Sequence, residues 1–216
     1  MRFFVAAIFG LLAQQANACD KAVCQVNPDA LALTQIITFE DQQATMGPGI
    51  LLDDVLVLPG AAFAERFVGQ SLEFQGSHDA VVGQAMAPLT PQAGTPGQTM
   101  SLVMMGRNKV LNGYGPAAFP RREAQGEGAI SVLFDEDQPA LAFDLRGGEG
   151  GHARVQFLRR DGSVIAEVPV QSVSEYAVGF QRAGGVTDIA GFVLMNVDPQ
   201  GLAIDNLRFG PPAQLG

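Results

Sequence analysis

Apolar residues recur along this chain in short runs, and in several runs they alternate strictly with polar ones. Ala153, Val155 and Phe157 take turns with Arg154 and Gln156, while Leu141, Phe143 and Leu145 share one parity, as do Tyr176, Val178 and Phe180. A period of two sends every second side chain to the same side of an extended backbone, so these segments predict half-buried β-strands. Further β-branched or apolar runs of strand length lie at residues 36–39, 55–58, 80–82, 101–105, 130–134, 164–170 and 202–209. Residues 189–195 differ, being apolar on both parities, and predict a central strand covered on both faces.

The breaks between runs carry information too. Arg159-Arg160-Asp161-Gly162-Ser163 separates two of the clearest strands, and Asp-Gly favours a tight hairpin because positive φ costs little there. Asn27-Pro28-Asp29 suits the opening of a short helical turn. Between residues 83 and 128 the pattern dissolves into Pro88, Pro91, Pro96, Pro116, Pro120 and many glycines, with one clear strand at 101–105. This stretch reads as long loops within one domain. With no repeat of 20 to 50 residues, a solenoid or propeller is not indicated. The expected architecture is all-β: a two-sheet antiparallel β-sandwich or jelly roll over residues 34–210, preceded by a segment 19–33 and followed by a short tail 211–216.

Residues 1–18 stand apart. Arg2, an apolar run from Phe3 to Ala13 and the closing Ala16-Asn17-Ala18 have the form of a signal peptide cleaved after Ala18. The run is short of the ~20 residues that a spanning helix needs, and no later stretch reaches that length uninterrupted, so no transmembrane segment is expected in the mature chain. Cleavage would leave Cys19 first, five positions before Cys24, the only other cysteine. Two readings stay open: a small Cys19–Cys24 disulfide formed in an oxidising compartment, or a lipoprotein anchored through Cys19, for which Ala16 stands where a Leu-like residue is preferred. Either way the protein is expected to be secreted or periplasmic.

Composition agrees with a turn-rich β protein and narrows its partners. Of 216 residues 26 are Gly and none is Trp, and 13 Lys+Arg against 22 Asp+Glu give a net charge of -9. A surface this acidic repels phosphate, which argues against nucleic acid and anionic membranes. Loss of the leader makes the chain more negative still.

Five phrases resemble a known family: Ile37-Thr38-Phe39-Glu40-Asp41, Ala64-Glu65-Arg66-Phe67-Val68-Gly69-Gln70, residues 155–163, Gly179-Phe180, and Ala203-Ile204-Asp205-Asn206-Leu207-Arg208-Phe209. In order and type they resemble the exported bacterial β-sandwich domains of PEP-CTERM-type proteins, relatives of lectin-like and carbohydrate-binding jelly rolls. The Pro-containing motif, apolar helix and basic cluster that anchor such proteins are not found at Phe209-Gly210-Pro211-Pro212, so free release is the expectation. The resemblance implies a structural calcium ion where the acidic end of the first strand meets the last strand, which would use Glu40, Asp41, Asp205 and Asn206. Oxygen ligands of this kind suit calcium, and exported proteins meet it at millimolar levels. A solvated turn at Glu40-Asp41 and a capping role for Asp205 are the structural alternatives.

Catalytic signatures are missing from the sequence: no nucleophile elbow, zinc-binding His-Glu-x-x-His, phosphate loop or dinucleotide-binding glycine pattern occurs. His78 and His152 have no framing motif. Asp135-Glu136-Asp137 and Gly147-Gly148-Glu149-Gly150-Gly151-His152 superficially suggest calcium loops but lack the required spacing, and read as turns. A ligand rim, if present, is expected where scarce cations meet a tyrosine, at Arg107 and Asn108, then Tyr114, Arg121 and Arg122; a solvated loop with the tyrosine packed against the sheet is the structural alternative. Met100, Met104 and Met105 are read as core filling. No catalytic residue is assigned. The expected function is a non-catalytic exported module, binding carbohydrate or an extracellular protein or serving structurally, with calcium as its possible cofactor. A carboxylate-pair glycoside hydrolase and an envelope assembly subunit are the alternatives.

Overall fold

A computed structural model of the chain describes residues 20–171, 173–197 and 201–212. The signal-like leader and Cys19 lie outside the described residues; Cys24 is disulfide-bonded. The chain begins with β1 (Val23–Val26), a 3-10 turn at Pro28–Ala30 and β2 (Leu33–Ile37). Asn27 Oδ1 accepts the Asp29 amide at 3.1 Å, and Pro28 sits where the first turn needs no donor. Then come β3 (Ile50–Leu52), β4 (Leu56–Leu58), β5 (Ala61–Ala64), β6 (Arg66–Phe67), the hairpin β7 (Ser71–Gln75) and β8 (His78–Val82), and β9 (Pro91–Gln92). The hairpin β10 (Met100–Met105) and β11 (Asn108–Tyr114) leads to β12 (Gln125–Gly128), β13 (Ile130–Gln138) and β14 (Ala140–Gly147). The last strands are β15 (His152–Leu158), β16 (Val164–Gln171), β17 (Ala177–Arg182), β18 (Ile189–Asn196) and β19 (Leu202–Pro212).

These strands form an antiparallel β-sandwich. The first sheet runs β1-β17-β14-β19-β11-β10-β3, with β2 added to β19 and β12 to β11; the second runs β16-β15-β18-β13-β5-β4. Alternation decides which side chains meet between them. Leu141, Phe143 and Leu145 of β14, Val178 and Phe180 of β17, and Val155 and Phe157 of β15 all point into the shared core. Phenylalanines bridge the layers: Phe143 stacks on Phe192 with centroids 5.5 Å apart, while Phe157 meets Phe180 and Phe134 meets Phe209, each at 5.1 Å. All six rings are 2 % exposed or less. Among the described residues, no helix is long and apolar enough to cross a membrane.

The two-sided strand expected at 189–195 is β18. Phe192 and Leu194 face the inter-sheet core, while Ala190, Val193 and Met195 face a second apolar cluster on the outside of the second sheet. The hairpin at 159–163 is also present, but as a wider turn than a two-residue loop. The Gly162 amide donates to Arg159 O at 2.9 Å, Gly162 takes φ 81°, and the Arg159 amide donates to Ser163 O at 2.9 Å.

Three expectations need correction. The stretch 83–128 holds strands as well as loops: β11 pairs with β10 from Met100↔Gly113 to Met105↔Asn108, and β12 adds to β11. Its sequence, Asn-Lys-Val-Leu-Asn-Gly-Tyr, hides the strand because Asn112 is buried in a polar position, hydrogen-bonded to Ser101, and Gly113 lies too close to Gly128 to carry a Cβ. The segment before residue 34 is likewise part of the sandwich, since β1 pairs with β17 from Val23↔Arg182 to Val26↔Gly179. Asp135-Glu136-Asp137 belongs to the irregular end of β13 rather than to a turn. There Arg160 donates to Asp137 Oδ1 at 2.6 Å and to Phe134 O at 2.9 Å.

Candidate functional site

The sandwich has two outer faces, and they are finished differently. On the first sheet, an open groove of about 730 Å³ lies over β10, β11, β14 and β19. Met104 and Met105 of β10, Arg122 and Gln125 of the loop into β12, and Arg146 and Glu149 at the end of β14 supply its functional side chains. Gly47-Pro48 and Pro120 form further walls. Met104 and Met105 are 36 % and 44 % exposed, so only Met100 of the three methionines fills the core. This corrects the core assignment. The β10 alternation turns one methionine inward, and the hairpin end lets the other two into solvent.

The floor of this face is ionic. Asp144 of β14 and Asp205 of β19 are register partners. Arg208 donates to Asp144 at 2.8 Å, and Arg146 lies 3.4 Å from Asp205, which is 2 % exposed. Asn206 takes φ 49°, which lets its amide nitrogen bond Asp205 Oδ1 at 2.7 Å and its side chain bond Asp144 at 2.8 Å. Burial pushes the Asp205 carboxyl up, opposed by the Asn206 amide and the Arg146 guanidinium. The arrangement holds Arg146 from beneath while its outer part lines the groove.

The residues expected to form a ligand rim divide. Arg107, Asn108, Arg121 and Arg122 are exposed, the first two at the tip of the β10–β11 hairpin and the others next to η-type turn residues before β12. Only Arg122 of this set lines the groove itself. Tyr114 is fully buried: its hydroxyl donates to Pro48 O at 3.0 Å and its ring packs 5.4 Å from Phe119. It supports the groove wall from inside and presents no face to a ligand. Gln125 and Arg146 were not singled out from the sequence, and Met104 and Met105 were read as core, because nothing in a strand's residue order says which end opens onto a cleft.

The four residues of the calcium expectation are not gathered into a cage. Among the described residues no three His, Cys, Asp or Glu side chains are placed to hold a metal ion. Donors of the protein already stand at several of the oxygens concerned. Lys109 donates its amide to Glu40 Oε1 at 2.9 Å and its ammonium to Glu40 O and Gln42 O, Asp41 is exposed, and Arg146 serves Asp205. A divalent ion would have to displace these partners.

On the second sheet the outer face is closed. The β7–β8 hairpin, β6 and residues 85–89 cover it, packing Phe67, Leu72, Val81, Ala85 and Leu89 onto Leu158, Val193 and Met195. Sealed at this layer are two carboxylates, Glu65 and Asp79, both 0 % exposed. Burial pushes the Glu65 carboxyl up to about 7 against the neighbouring Arg66 guanidinium, with which it is ion-paired, and pushes Asp79 up to about 7 against the Ala129 amide. Gly94 is required beside them, since a side-chain carbon there would overlap the Glu65 carboxylate. His78, on the same hairpin, is held below its ordinary range by burial and by Arg154; His152 is exposed.

No protein-family model matches the chain, and no curated protein matches it. Among solved structures, a mutant of a family 29 carbohydrate-binding module is similar to 52 % of this chain and 76 % of its own, at 13 % identity and a TM-score of 0.35. The sandwich assignment rests on the strand pairing itself.

Proposed function

We propose that the protein is an exported, non-catalytic β-sandwich binding module whose ligand sits in the open groove of the first sheet. The observation that carries this reading is the groove: a broad concave surface of about 730 Å³ in which arginine, amide and thioether side chains converge. Carbohydrate or an extracellular protein segment are the ligand classes considered. Export, and kinship with PEP-CTERM-type exported domains, belong to the same proposal and rest on the leader-like residues 1–18 and the quoted motifs.

A carboxylate-pair hydrolase is less well supported. It needs two acids facing a substrate across a cleft. Glu149 is the one carboxylate lining the groove, the two acids raised to about 7 are shut beneath the β7–β8 hairpin, and Asp205 is buried against Arg146. A glycan array probed with the mature chain and with Arg146→Ala tests the reading: retention lost in the variant supports it. Binding unaffected by Arg146→Ala and Gln125→Ala, or hydrolysis of any bound glycan, would sink it.

A further inference from the structure

We propose that the groove takes a polysaccharide bearing carboxylates, a uronate-type acidic glycan; this rests on the groove being a binding site and adds the class of ligand. The argument starts from how this acidic chain uses its arginines. Seven of those described, Arg66, Arg146, Arg154, Arg159, Arg160, Arg182 and Arg208, have an Asp or Glu within 4 Å. Arg107, Arg121 and Arg122 make no ion pair among the described residues, although Asp and Glu outnumber Lys and Arg in the chain by 22 to 13. Of these three, Arg122 lines the groove; Arg121 precedes it in the chain, and Arg107 lies two residues after the groove residue Met105.

Guanidinium groups left without acids are available for bidentate bonds to carboxylates of a ligand. Arg146 is the second arginine of the lining, and its position is set by buried Asp205. Glu149 is the single negative side chain in the lining. The net charge of the whole chain does not forbid such a ligand, because exposed charges more than ~8 Å away are largely screened at physiological ionic strength. The local sign at the groove then decides.

The same lining favours a sugar chain over an acidic peptide. An extended peptide gains affinity by adding to a free sheet edge. The groove lies on the face of β10, β11, β14 and β19, whose backbone groups are committed to neighbouring strands. A pyranose ring needs hydrogen-bonding groups beside surfaces for its C–H faces. Gln125 and Arg122 supply the first, and Met104, Met105, Pro48 and Pro120 the second.

Calorimetry with the mature full chain tests this, using polygalacturonate, a neutral glucomannan and poly-L-glutamate as probes. Polygalacturonate should bind, weaken at least about 10-fold in Arg122→Ala, and weaken further from about 0.05 to about 0.5 M sodium chloride. Arg122→Lys should retain part of the affinity, and an unchanged Tm should show that the exposed substitution leaves the fold intact. Binding of glucomannan that ignores salt and Arg122 but falls in Met105→Ala would overturn the acidic class and leave the binding module standing. Equal binding of poly-L-glutamate would overturn the glycan assignment. Binding of no probe by the wild-type chain would overturn the acidic-glycan inference and remove the carbohydrate form of the underlying reading with it, while a protein ligand captured through Arg146 would keep that reading alive.

Discussion

The outer faces of the two sheets begin from the same strand chemistry and end differently. In the second sheet β18 is apolar on both sides, so its outer side had to be covered, and the β7–β8 hairpin with residues 85–89 covers it. The first sheet carries acids and arginines outward instead, at Asp144, Arg146, Asp205 and Arg208, and needs no lid. One face is covered and the other is open. The fully buried Glu65 and Asp79 lie at the covered face, while exposed Arg122, Met104 and Met105 border the open one.

The strongest way to break this contrast is a matched pair of truncations. Phe67→Ala opens the covered face and should cost about 3–5 kcal/mol in denaturant unfolding, whereas Met105→Ala on the open face should cost less than about 0.5 kcal/mol. Comparable losses would remove the distinction between the faces.

The covered face should next reveal itself by pH. Glu65 and Asp79 rise from 4.5 and 3.8 to about 7, so the folded protein holds protons that the unfolded chain releases. Their stabilising contribution is full below about pH 4 and is lost as pH rises toward 7, on the order of 3–4 kcal/mol per group at most. Thermal unfolding should thus show a higher Tm at pH 5 than at pH 7.5, and Asp79→Asn should flatten the slope. Asp188 acts oppositely, since the Arg182 guanidinium and then Arg159 hold its carboxyl below its usual range, and its contribution is lost only as pH falls through that lower value. A Tm that climbs from pH 5 to 7.5 would contradict the buried-acid account.

Asp188 also joins the two sheets, accepting from Arg182 Nε at 2.6 Å and from Arg159 Nε at 3.0 Å. Asp188→Asn should cost about 1–3 kcal/mol at neutral pH, read by urea denaturation. The smallest effect concerns calcium: with Lys109 and Arg146 already at the relevant oxygens, millimolar calcium should leave Tm unchanged. A rise abolished by Asp205→Ala would restore the calcium assignment. Intact mass of the protein isolated from its native cells checks the proposed export and terminus, where cleavage after Ala18 and a Cys19–Cys24 disulfide predict a mass without a diacylglycerol adduct.

Strand-by-strand alternation was legible in the residues, because burial of one face imposes a period of two on Leu141, Phe143 and Leu145 whatever the fold around them. The doubly apolar stretch now in β18 likewise announced that something covers both its sides. Which element provides the second cover was not legible: the β7–β8 hairpin reaches Val193 and Met195 from more than a hundred residues away in sequence, and such pairing leaves no local mark. β11 was hidden for a related reason, its buried Asn112 and Gly113 being chosen by Ser101 and Gly128 across the sheet.

The candidate site shows the same division. Sequence alone drew attention to Arg107, Arg121 and Arg122, scarce cations in an acidic chain, and to Asp205 and Asn206 in the closing strand. Tertiary structure turned Tyr114 inward onto Pro48, set Arg146 beside Asp205, and brought Gln125, Arg146 and the exposed methionines to one groove. Local order sets what each residue prefers, water or core, extended or turned. Which residues share a surface depends on strand order in the sheet, and that is decided by the packing of the whole core.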